Sequence, residues 1–346
     1  MRNRILLSVL ILGVALWGAL LGAYTLQQDT LNGALQVLRW PSGSPVFTWE
    51  ISPATGSNID LSGGSVEAAM QNAFASWTGA QLNGQSITAF TVAEGPHSTL
   101  ENPNTNDCSN VISFEPTIGF PTGIVAYTFI GSVTHTLPYT YVCGGNDLNG
   151  VLPAQIIGAD VAFNPQWCFS TSQSPPAAFL AACPGNTAYD IQSIGTHEVG
   201  HMLGLDHSGL GHATMFPFGD AGTGAQRSLG VDDVVGAAFL YPNGSFTTAT
   251  GTISGTVTLS GSAAFASHVV LLDQETGKAI TDGLTAPNGT YTLNGVPPGT
   301  YTLVALPLSG IYTIENFSLW TCGYASNQSN CTGVPSNPVN YSGAFF

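Results

Sequence analysis

Three histidines and a glutamate fall within the run His197-Glu198-Val199-Gly200-His201-Met202-Leu203-Gly204-Leu205-Asp206-His207. The pattern is H-E-x-x-H-x-x-G-x-x-H. On a helix, His197 and His201 lie one turn apart on the same face, so both imidazoles can grip one metal ion. Glu198 follows the first histidine, which sets its carboxylate beside the ion, as a general base, and not among the ligands. A straight helix cannot carry His207 to the same ion. Gly204 offers the way round, because glycine accepts the left-handed conformation that ends helices. Three neutral imidazoles with an open fourth position describe a catalytic zinc site better than a structural one, which four protein ligands would close. The plain alternative is a buried helix with satisfied core histidines. Five positions fixed at once weigh against it.

Ala213-Thr214-Met215-Phe216-Pro217 follows, with Met215 eight residues beyond His207. Together these runs resemble the metzincin metalloproteases and, within them, the matrixins. Ser208 directly after the third histidine fits the matrixin pattern, as does Leu229-Gly230-Val231-Asp232-Asp233 opening a run that closes on Leu240-Tyr241. The resemblance implies an α+β zincin domain over residues 36–243, a twisted, mostly parallel sheet above the active-site helix. It implies one catalytic zinc on His197, His201 and His207, Glu198 as base, and Met215 as a turn packed beneath the ligands. It is sharp over 194–241 and loose before that. Many matrixins hold a second, structural zinc on strand histidines. Here Tyr127 and Ala162 stand in those strands and His135 reads as a loop residue, so no structural zinc is expected. No cysteine precedes Cys108, so a cysteine-based latency device is not expected either.

The elements that must position the motif are legible in outline. Arg39-Trp40-Pro41 and Val46–Ile51 read as the first strand. Ser65 caps a helix on which Val66, Met70, Ala73 or Phe74, and Trp77 recur at helical spacing, with Trp77 in the core. Apolar, β-branched stretches at Ile87–Val92, Val111–Phe114, Ile124–Phe129 and Ile156–Phe163 read as strands. Ile124–Phe129 is the candidate edge strand, where an extended peptide would add by main-chain hydrogen bonds. Phe216–Ser228 would wall the pocket beyond the cleaved bond. His212 reads as an exposed loop residue, and Gly144–Gly150 as a turn whose oxygens would also suit calcium.

After Pro242-Asn243-Gly244 the pattern changes. Residues 244–252 read as a linker. Alternation at Gly255–Leu259, His268–Leu272, Gly289–Leu293 and Gly299–Ala305 predicts a small all-β sandwich over 253–310. Asn288-Gly289-Thr290-Tyr291 and Gly295-Val296-Pro297-Pro298-Gly299-Thr300-Tyr301 resemble carboxypeptidase-regulatory-like domains. No catalytic constellation stands out there, so the reading is a spacer or a surface-binding unit. The tail 311–346 either completes the sandwich or leads into a longer chain.

The 346 residues suffice for two domains. Only 7% are charged, against roughly 25% in ordinary soluble domains, and the formal net charge is −15. With no basic patch, nucleic acid is not an expected partner. Met1-Arg2-Asn3-Arg4 followed by the apolar run Ile5–Leu21 reads as a secretory leader over 1–23, cleaved near Ala23 or retained as an anchor, and 24–35 as a polar spacer. Six cysteines without a C-x-x-C suit disulfides outside the cytoplasm, paired by proximity as Cys108–Cys143, Cys168–Cys183 and Cys322–Cys331. The expectation is a secreted or extracytoplasmic monomeric zinc endopeptidase acting on proteins or peptides. The membrane would be a partner only through an uncleaved leader. The rivals are an adhesion protein on a metzincin scaffold and a metal-dependent hydrolase of other bonds.

Overall fold

A computed structural model describes residues 25–31, 34–41, 47–52, 56–133, 142–143, 146–147, 154–308 and 344–345. The leader, His135, the Cys322–Cys331 pair and most of the 311–346 tail lie outside the described residues. So does the Gly144–Gly150 loop, apart from the backbone of two residues.

Five strands form the sheet above the site: β1 (Phe47–Ile51), β2 (Val92–Glu94), β3 (Val111–Ser113), β4 (Ala126–Ser132) and β5 (Ile156–Phe163). Their order is β2-β1-β3-β5-β4. Every junction is parallel except the last, where β4 runs antiparallel to β5. The mostly parallel sheet and its edge strand are therefore present, with the edge starting at Ala126 instead of Ile124. All eight residues of β5 are buried, as expected of a strand covered on both faces. Its one charged residue, Asp160, accepts from the amides of Asn104 and Val111, both at 2.7 Å. Burial still pushes its carboxyl up to about 6.

Ile87–Val92 is a correction: it is not a strand. Ile87 is fully buried, but the backbone bonds go to the segment that follows residue 240. Ala89 donates to the Tyr241 carbonyl, and Asn243 donates to the Ile87 carbonyl. A β-branched run has here been taken up by a loop partner, and β2 begins only at Val92.

Helix α1 (Val66–Thr78) starts at Ser65, whose hydroxyl accepts from the Ala68 amide at 3.0 Å. Its apolar face, Val66, Met70, Ala73, Phe74 and Trp77, is buried as the spacing predicts. That face packs on α2 (Ile191–Met202), the histidine helix. Close approach explains a glycine in the middle of α2. A Cβ at Gly200 would lie 2.2 Å from the Met215 sulfur and 2.8 Å from the Trp77 ring. Asp190 caps α2 by accepting from the Ser193 amide at 2.7 Å, and it is paired with Arg227. Cys168 and Cys183 are joined as expected; Cys108 is also disulfide-bonded, but the side chain of Cys143 is outside the described residues.

Helix α3 (Val231–Leu240) closes this region. The stretch read as a linker contains a helical turn, α4 (Phe246–Ala249), with Phe246 buried. Beyond it lie β6 (Gly251–Thr256), β7 (His268–Asp273), β8 (Ala279–Leu284), β9 (Thr290–Val296) and β10 (Tyr301–Leu306). Strands β6 and β9 pair with each other, and β7 lies between β8 and β10; all these pairings are antiparallel. Strand β8 went unread in the sequence. Val269, Leu271, Leu293 and Val296 share one apolar cluster with Val234 and Val235 of α3, so this β-unit is packed onto the region that holds the histidine helix and not merely tethered to it.

Candidate metal centre

Helix α2 ends in a Schellman motif. Leu205 donates to the Gly200 carbonyl at 3.0 Å and Gly204 to that of His201 at 2.9 Å. Gly204 has φ +100°, and a Cβ there would stand 2.5 Å from the Leu38 carbonyl oxygen. Both the turn and the close approach require glycine, and the turn sends the chain back to His207.

The three histidines converge. One ligand atom from each of His197, His201 and His207 lies within 4.8 Å of the others. His197 Nδ1 lies 2.8 Å from the Thr214 carbonyl oxygen, and His201 Nδ1 lies 2.9 Å from that of Leu205. A carbonyl only accepts, so each Nδ1 carries the proton and each Nε2 keeps a lone pair. Those two Nε2 atoms face each other at 3.1 Å. Two lone pairs at that distance repel unless a cation sits between them, so the donor set fits zinc. Burial lowers the His197 pKa to about 3 and that of His201 well below normal, keeping both imidazoles neutral as ligands must be.

Glu198 is buried on the same helix. Its carboxylate accepts from the Thr128 hydroxyl of β4 at 2.6 Å. Desolvation pushes its pKa up to about 7, against which the Thr128 hydrogen bond pulls it down. The edge strand thus reaches Glu198 directly. Thr128 escaped the sequence reading, although alternation between exposed Tyr127 and half-buried Phe129 already turns it inward.

Met215 is buried beneath α2 against Gly200, in the place expected for the methionine turn. Asp233 builds that turn: it accepts from the amides of Thr214 at 2.8 Å and Met215 at 3.0 Å. Gln226 adds donors to the Thr214 and Phe216 carbonyls. The Thr214 carbonyl held in this way is the one that orients His197. His212 is exposed, as expected.

The segment read as a polar spacer also has work at this site. Leu26 is buried and bridges to Leu205. Gln27 donates its amide to the Gly204 carbonyl at 2.9 Å, Asp206 donates to the Thr25 carbonyl at 3.0 Å, and the Thr25 hydroxyl donates to the His207 carbonyl. The turn to the third histidine is therefore braced by residues some 180 positions upstream.

A sequence model of the matrixin family matches residues 148–242. Metalloendoproteinase 5-MMP of Arabidopsis thaliana is 44% identical over 66 residues, 18% of either chain. Metalloendoproteinase 1 of Glycine max is 25% identical over 203 residues, 59% of this chain and 52% of its own. Matrix metalloproteinase-9 of Canis lupus familiaris is 37% identical over 75 residues, 22% of this chain and 10% of its own. The matched stretches thus span between a tenth and about half of these relatives' lengths. Together with the histidine helix, the glycine turn and the buried methionine beneath them, these matches show that residues 148–242 are similar to the matrixin family.

Proposed function

We propose that the chain is a secreted zinc endopeptidase that hydrolyses peptide bonds in proteins outside the cytoplasm. The observation that carries the reading is the pair of Nε2 lone pairs facing each other beside a buried carboxylate. His197, His201 and His207 would hold the ion. A bound zinc supplies Lewis acidity, lowering the pKa of a coordinated water and polarising a carbonyl.

The chain's own residues do the rest. Glu198 takes the proton of the attacking water and passes it to the leaving amine. Its raised affinity for protons suits both halves of that task. Thr128 fixes the carboxylate from the edge strand. Among the described residues β4 is the last strand of its sheet, so an extended substrate can hydrogen-bond along its outer side while Thr128 points inward to the base. Met215 shapes the floor by packing. The C-terminal strands are read as a carboxypeptidase-regulatory-like sandwich.

The test is cleavage of casein by the purified chain, with and without a zinc chelator, beside Glu198→Gln. We expect the chelator to abolish cleavage. Glu198→Gln should keep stoichiometric zinc and lose about 10²–10⁴-fold in turnover, the range for a lost general base. Normal cleavage by that variant would overturn the assignment, and a chain that binds no zinc would favour the scaffold reading.

A further inference from the structure

The C-terminal β-unit reaches the zinc-site loop through one buried carboxylate. Asp282 of β8 accepts from the Gly209 amide at 3.0 Å, and the Ser208 hydroxyl lies 3.4 Å from its other oxygen. His268 of β7 donates to the same carboxylate. One residue back, the Thr281 hydroxyl donates to Asp232 of α3 at 2.6 Å. Asp282, His268, Ser208, Thr281 and Asp232 are all buried. The fit leaves no slack: a Cβ on Gly209 would stand 2.5 Å from Asp282 Oδ2 and 2.6 Å from His268 Nε2.

A spacer would dock through apolar contacts alone, because a carboxylate is costly to bury unless its bonds repay the lost hydration. Here the buried carboxylate is aimed at the Ser208 hydroxyl and the Gly209 amide, one and two residues beyond the third histidine. Within the loop, Ser208 donates to the Met215 carbonyl at 2.8 Å. The N-terminal segment braces residues 204–207, so Asp282 completes the restraint at the far end.

We propose that Asp282 is a positioning residue for His207, and that the C-terminal β-unit is a structural part of the metal site. The proposal rests on the zinc reading above. Partners that fix a ligand's orientation typically govern 10–100-fold in metal affinity.

The experiment is zinc affinity by chelator competition on the full chain, with kcat, KM and thermal midpoint measured alongside. The variants are Asp282→Ala, Asp282→Asn and Leu293→Ala. Leu293 is fully buried in β9 and is not a partner in the hydrogen bonds that link Asp282 to the loop, so its truncation destabilises the β-unit without removing that link. Asp282→Ala should weaken zinc about tenfold and lower kcat more than it raises KM. Asp282→Asn keeps an acceptor for the Gly209 amide and should recover part of that loss; it also carries the test if the alanine variant does not fold. Leu293→Ala should lower the midpoint and leave zinc affinity unchanged. Wild-type zinc affinity in both Asp282 variants would overturn the proposal, as would equal weakening by Leu293→Ala. A wild-type chain that binds no zinc would overturn the zinc reading and this inference with it.

Discussion

The first two histidines and the third are held by different kinds of structure. His197 and His201 ride one helix, and a 3.6-residue repeat already puts them on one face. His207 sits on a loop whose geometry comes from elsewhere: Thr25–Gln27 on one side and Asp282 on the other. The comparison teaches where each ligand is vulnerable. The helix sets where the first two histidines stand, and the orientation of His197 depends on a distant segment through Thr214, whereas the position of the third can be disturbed from either end of the chain without touching it.

Three substitutions sharpen that contrast, beginning with the largest expected effect. Gly204→Ala places a side chain at φ +100° against the Leu38 carbonyl. It should cost about 1–3 kcal/mol of strain in denaturant unfolding, and zinc affinity should fall with it because the turn to His207 is what moves. Loss of stability with unchanged zinc affinity would mean that the third ligand does not depend on this turn. Thr128→Val removes the hydroxyl that holds Glu198 down, while keeping a β-branched shape that suits a strand. A base must be ionised to act. Since the lost hydrogen bond had favoured the ionised form, the acid limb of kcat/KM should move to higher pH, with zinc affinity intact. A limb that stays in place would remove Thr128 from the mechanism. Ser65→Ala strips the cap of α1 and should cost about 1 kcal/mol. Because α1 meets the histidine helix through its buried face and the Trp77 indole, which donates to the Thr196 carbonyl at 2.8 Å, and not through Ser65, zinc affinity and pH profile should remain those of the wild type; a shifted profile would show that the cap of α1 steers the site.

The sequence reading succeeded where the determinants are local. Ser65, the apolar face of α1, Gly204 and the Cys168–Cys183 bond were all legible because each depends on a short stretch of chain. It failed where a distant partner decides. Ile87–Val92 has strand composition but bonds to residues 241–243 instead. Asp233 was visible only as part of a helix opening, although it ties the methionine turn to α3. Strand β8 was missed because its Thr281, Asp282 and Gly283 break the apolar alternation, and they break it to make the contacts with Asp232 and Gly209.

The sequence by itself determined the chemistry: three imidazoles, one carboxylate and a glycine turn at offsets that fit a single ion. Those offsets work through helical periodicity and backbone sterics, which act over a few residues. Only the tertiary structure decided what holds the ligands still. The Thr214 carbonyl, the Thr128 hydroxyl and the Asp282 carboxylate reach the site from separate segments. Their roles come from buried polar groups having to find partners once water is excluded, whatever their distance along the chain.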